Sequence, residues 1–168
     1  MDSFHTHSKQ QLILWEVFYT LPFLYKACKV GGTNRGSANT PLKRKGYGRF
    51  GFGLPKSSLS QTRSFTVYTK TKQDDNWRSL NVDIDDLIKK NTTQLSDIIQ
   101  ISSDQLPKFI SECWKENFSK DKSGTIVCWN LCDRMTYKTD ESLRNNLSWR
   151  VSMSYWRNIK AGLNINIL

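Results

Sequence analysis

From Val17 to Gln73 the chain carries no carboxylate. Solvated protein surfaces mix charge signs because like charges repel. A run of this length without an acid therefore needs an anionic partner or a targeting role. Residues 1–72 hold 12 Lys or Arg against Asp2 and Glu16, a net +10, whereas residues 73–168 hold 13 cations and 13 acids. The whole +10 of the 168-residue chain thus lies in its first 72 residues.

Glycine marks the same region. Seven of the nine glycines fall between Gly31 and Gly53, among Pro41, Pro55 and many Ser, Thr and Asn. Such a composition buries too little apolar surface to offset its ordering entropy, so residues 31–64 are expected to form an extended or disordered basic arm. Before it, the apolar run Leu12–Tyr25 contains Glu16 and Pro22. It is too short to span a bilayer and makes a poor secretory signal, so it is expected to be a short helix ending near Pro22, with a protein partner as a possible occupant of its apolar side.

After the arm the pattern becomes that of a folded domain. Phe65, Val67 and Thr69 alternate with polar neighbours, as do Leu80, Val82 and Ile84, and Gln73–Asn76 reads as the turn between two strands. Ile84–Ile99 and Leu106–Phe118 follow helical spacing, the first weakened by Asn91-Thr92-Thr93. Strands are then expected at Thr125–Cys132, Met135–Lys138, Ser148–Tyr155 and Leu163–Ile167. The implied fold is α+β: an antiparallel sheet with two helices packed on one face, preceded by a short N-terminal helix and a largely extended basic arm. The expected organisation is an apolar segment at 1–30, the arm at 31–64 and a small α+β domain at 65–168.

The arm holds Lys43-Arg44-Lys45-Gly46-Tyr47-Gly48-Arg49-Phe50-Gly51-Phe52-Gly53. Cations suit phosphates, aromatic faces stack on bases, and glycine lets a backbone come close. The leading expectation is a non-enzymatic protein that binds RNA or single-stranded DNA through Lys43, Arg44, Lys45, Tyr47, Arg49, Phe50, Phe52, Lys56 and Arg63. Lys45–Phe52 partly follows the aromatic RNA-recognition octamer. Arg49 replaces an aromatic there, Phe50 replaces an aliphatic, and no strand and helix precede, so that fold is rejected. Ser57, Ser58 and Ser60 lie near cations and are candidates for phosphorylation.

Asp83, Asp85 and Asp86 form an acidic group suited to a metal for phosphoryl transfer, although Asp85 and Asp86 equally suit the first turn of a helix. Cys28, Cys113, Cys128 and Cys132 form no CxxC pair, and Cys128 and Cys132 on a strand would stand about 13 Å apart, so no metal site is expected. With no secretory signal the thiols are expected reduced. His5 and His7 lie in a polar N-terminus with no partner in view. No cofactor is implied. Trp114, Trp129 and Trp149 fall on expected core faces, while Trp77 and Trp156 are expected exposed.

Three alternatives stand beside the leading reading: an organelle-targeted small domain whose basic stretch is a presequence, a metal-dependent phosphoryl-transfer enzyme fragment, and a peripheral membrane protein. The sequence names no compartment; an intracellular one is expected, and an organelle is compatible. The chain ending at a strand reads as a fragment of something longer.

Overall fold

Three segments rich in β-branched and aromatic residues, Ser64–Lys70, Trp77–Asp83 and Gly124–Asn130, form the centre of a sheet. The computed structural model describes residues 11–15, 21–32, 51–118, 123–137, 139–163 and 165. In chain order its elements are β1 (Gln11–Trp15), α1 (Leu21–Cys28), α2 (Gly53–Gln61), β2 (Ser64–Lys70), β3 (Trp77–Asp83), α3 (Ile84–Lys89), β4 (Ile99–Ile101), α4 (Lys108–Phe118), β5 (Gly124–Asn130) and α5 (Asp140–Lys160). The chain divides into two compact units, Met1–Arg134 and Met135–Leu168.

The first unit holds a five-stranded antiparallel sheet in the order β1-β5-β2-β3-β4. Phe65 stands between Val82 and Trp129, and Val67 between Leu80 and Val127. This register places one apolar set on one face, where it packs with Leu24 and Cys28 of α1 and Leu54 of α2. The alternate positions Trp77, Ile126 and Cys128 pack on the other face with Ile110 of α4 and Leu106 before it. Trp77 meets Trp114 of α4 edge to face, ring centroids 4.6 Å apart. Thr69 and Thr125, both fully buried, satisfy each other through their hydroxyls at 2.8 Å.

The α+β class, the antiparallel sheet with helices and the short N-terminal helix are as the sequence implied. Local assignments differ. The apolar run at 12–25 gives a strand and then a helix, and Pro22 sits in the first turn of α1 instead of ending a helix, a position where its missing N–H costs nothing. Residues 53–61, expected as part of the extended arm, form α2 with Leu54, Pro55 and Ser58 buried. The helix expected over Ile84–Ile99 ends at Lys89, because Asn91 takes φ +47°, a left-handed conformation that stops a helix. Ile99 then enters β4. The two helices beside the Leu24–Val127 face are therefore α1 and α2, and α4 covers the opposite face. Trp77, expected exposed, is 1 % exposed.

The second unit consists of α5 and its flanks. Of the strands expected at Met135–Lys138 and Ser148–Tyr155, the described residues 135–137 form none and Ser148–Tyr155 lies in α5. Thr139 caps a 21-residue helix by accepting from the Ser142 N–H at 3.2 Å, Asp140 and Glu141 occupy the first turn, and Arg157 and Lys160 the last. Gly162, at φ +100°, follows its end. Trp149, expected in the core, is 66 % exposed. The strand expected at Leu163–Ile167 lies largely outside the described residues.

Candidate functional site

The glycines converge. Gly31, three residues past α1, has φ +76°, and its N–H donates to the Gly51 carbonyl at 3.1 Å. Gly51 itself has φ +69°. A Cβ on Gly51 would stand 2.1 Å from the Gly32 carbonyl oxygen, and one on Gly32 would stand 2.0 Å from that of Lys26. Two backbones therefore touch here with no room for a side chain, and both glycine conformations are ones L-residues rarely adopt. The contact delivers the chain directly into α2.

Helix α2 opens without a cap. Phe52 occupies the N-cap position in a helical conformation, and its side chain makes no cap hydrogen bond. Lys56 supplies the first amide that bonds inside, to the Phe52 carbonyl at 3.0 Å. Pro55 has no N–H, so the orphan amides of the turn are those of Gly53 and Leu54. No acid sits in this turn, in contrast to α3, which carries Asp85 and Asp86, and α5, which carries Asp140 and Glu141. The positive end of the helix dipole is thus left without a carboxylate from its own first turn. Lys56, exposed, stands over the Phe52 ring at 4.7 Å from its centroid. Gly53 faces open space, with nothing within 4 Å of a would-be Cβ.

The other end of α2 is fixed to the sheet. The Trp129 indole N–H donates to Ser58 Oγ at 2.9 Å, and the buried Thr62 hydroxyl donates to the Asn130 carbonyl. Ser58 is fully buried and Ser57 and Ser60 hydrogen-bond to helix carbonyls, so these serines serve the helix. This anchoring fixes the far end of α2, while in its first turn Gly53 is exposed and Leu54 and Pro55 are buried.

Of the sequence-predicted site residues, Phe52 and Lys56 come together at this turn. Arg63 lies beyond the opposite end of α2, where its guanidinium pairs with Asp85. That pairing holds the Asp85 carboxyl below its ordinary value and raises Arg63. Lys43, Arg44, Lys45, Tyr47, Arg49 and Phe50 lie outside the described residues. The acidic group at 83–86 is likewise absorbed by structure: Asp83 caps α3 by accepting from the Asp86 N–H at 3.1 Å, and Asp86 pairs with Lys90 at 2.7 Å. Among the described residues no three His, Cys, Asp or Glu side chains converge to hold a metal ion.

A recess of about 350 Å³ is lined by Lys70, Lys72, Asp74, Asp75, Trp77, Ser103 and Trp114. Its charges satisfy the hairpin itself. Asp74 is held by both terminal nitrogens of Arg78 at 2.6 Å, and Lys70 Nζ donates to the Asp75 carbonyl at 2.8 Å.

Comparison with known families decides what kind of domain this is. The model of the histidine kinase-, DNA gyrase B-, and HSP90-like ATPase family matches residues 27–125, more than half of the chain. The chain belongs to this ATPase family. The match begins at Ala27 in α1, contains the whole glycine junction and α2, and ends in β5. No curated protein matches the chain. The expectation of a non-enzymatic nucleic-acid-binding protein is thereby overturned. The basic, glycine-rich stretch lies within the residues that the family model matches. The phosphoryl-transfer alternative agrees better with the ATPase family, although the carboxylates nominated for it are structural.

Proposed function

We propose that this chain binds ATP, with the phosphates at the open first turn of α2. The observation that carries this reading is the uncapped, acid-free start of that helix directly behind the Gly31–Gly51 contact. Orphan backbone amides at a helix N-terminus point at an anion and the dipole favours its charge. The amides of Gly53 and Leu54 supply the donors, Lys56 supplies a mobile cation, and the missing Cβ at Gly53 leaves space for an oxygen to approach. The carboxylate-free run that surrounds this turn in sequence keeps repulsive charge away from a polyphosphate.

Hydrolysis of ATP moves its terminal phosphoryl group to water and leaves negative charge on the departing oxygen. Such reactions depend on positioning and on neutralising charge more than on covalent chemistry by the protein. The residues named here hold and neutralise phosphate oxygens, and no metal centre is built from them.

The test is a titration of the full chain with a fluorescent ATP analogue, followed by displacement with ATP, ADP and AMP, alongside the variant Gly53→Asp. Aspartate at this exposed position meets no neighbour and suits a helix start, so the fold is retained. Binding of ATP with at least a tenfold loss in Gly53→Asp, and weaker displacement by AMP, is expected. Equal affinity in Gly53→Asp moves the phosphates elsewhere, and no binding at all overturns the reading.

A further inference from the structure

Helix α5 buries none of its residues, yet it is rich in large apolar side chains. Trp149, Met153, Tyr155, Trp156 and Ile159 are between 40 % and 66 % exposed. At the turn of an α-helix these five share roughly 160° of its circumference; between Ser148 and Ile159 only the small Ser148 and Ser152 fall among them, while Glu141, Ser142 and Asn145 lie on the same arc in the first turns and Lys160 on it in the last. Arg150 and Arg157 border this face on one side and Arg144 on the other. The Arg157 guanidinium lies over the Trp156 ring, 5.3 Å from its centroid.

Charge selects the occupant. From Ser142 to Leu168 there is no carboxylate, and α5 carries Arg144, Arg150, Arg157 and Lys160. Residues 135–168 hold five cations and two acids, both acids being in the first turn of α5, so two copies of this face repel each other. The tryptophans and tyrosine on this face, edged by guanidinium groups, are side chains suited to a lipid–water boundary. Its arginine stems cover apolar surface while their heads reach phosphate oxygens. None of the described helices is long and apolar enough to cross a membrane, so α5 would lie along the surface.

We propose that the Trp149–Met153–Trp156 face of α5 is a docking surface for an anionic lipid bilayer. The proposal is independent of the nucleotide reading, because it uses a separate unit of the chain. Apolar insertion supplies part of the affinity, and attraction of Arg144, Arg150 and Arg157 to acidic headgroups supplies the rest.

Co-sedimentation of the full chain with vesicles tests this, using phosphatidylcholine alone and phosphatidylcholine mixed with phosphatidylserine. Binding to the mixed vesicles only, weakened by salt, is expected. Because the N-terminal cations can also attract such vesicles, the deciding variant is Trp149→Ser with Trp156→Ser, both exposed positions that leave the fold intact. It should lower binding by about tenfold or more at unchanged charge. Unchanged binding in that variant overturns the proposal. So does an absence of binding to the mixed vesicles, which would leave the face to an acidic protein. Concentration-dependent self-association lost in the same variant would instead assign it to a second copy.

Discussion

The Gly31 amide donates to the Gly51 carbonyl at 3.1 Å, and this bond joins the end of α1 to the approach of α2 across twenty positions of sequence. Gly51→Ala places a methyl against the Gly32 carbonyl and forces a side chain into φ +69°. The expected cost is about 2–4 kcal/mol. Thermal unfolding of the variant should begin at least about 5 °C lower. ATP binding should fall with it, because the contact sets the start of α2. Gly53→Ala, which meets nothing, should unfold within about 1 kcal/mol of the parent.

Asp85→Asn removes the exposed partner of Arg63. Exposed ion pairs contribute little, so the denaturant midpoint should barely move. Nucleotide affinity should not change. A large loss of ATP turnover at preserved stability would return this carboxylate to the reaction.

How much of this was legible follows the strength of each local pattern. Phe65, Val67, Leu80 and Val82 alternate because one face of their hairpin is buried, and that hairpin stands where the alternation put it. Leu106 and Ile110 lie on the expected stripe around α4. Ser148–Tyr155 also alternates, yet it lies inside a helix with no buried residue, where nothing imposes a period. The overlooked evidence was the pair of ends: Thr139 followed by two acids, and Arg157 and Lys160 before Gly162. At the site, sequence pointed to a nucleic acid, a reading that the ATPase family match overturns. Glycine, cations and a lack of acids suit any phosphate ester, so composition does not separate a nucleotide from a nucleic acid. The Gly31–Gly51 contact pairs residues that no periodicity connects.

Acid should weaken the first unit in a defined direction. Asp74 is held below its ordinary value of 3.8 by hydrogen bonds from Arg78 and Thr71, and Asp85 by the hydrogen bond from Arg63. A carboxylate with a lowered folded value binds fewer protons folded than unfolded. Its stabilisation is complete above 3.8 and is lost as pH falls below that through the folded value. Urea midpoints measured from neutral pH to pH 2 should drop in that acid window, and Asp74→Asn should flatten part of the drop.

Two thiols should resist modification. Burial pushes Cys28 up to about 12 and, with Cys132 nearby, Cys128 up to about 11. Each is 1 % exposed. Iodoacetamide at pH 8 should leave both unlabelled in the folded protein and label both in denaturant, as peptide mapping would show. Rapid native labelling of Cys28 would contradict the packing of α1 on the sheet.

The sheet order also sets a timetable for synthesis. Strand β5 lies between β1 and β2, so Leu14 meets Ile126 and Phe65 meets Trp129. As the chain leaves the ribosome, the β2–β3 hairpin can close early, while β1 waits for a neighbour more than a hundred residues downstream. Until residue 130 emerges, the Phe65–Val67 strand lacks its β5 neighbour, and a nascent chain stalled before that point is a natural client for chaperones.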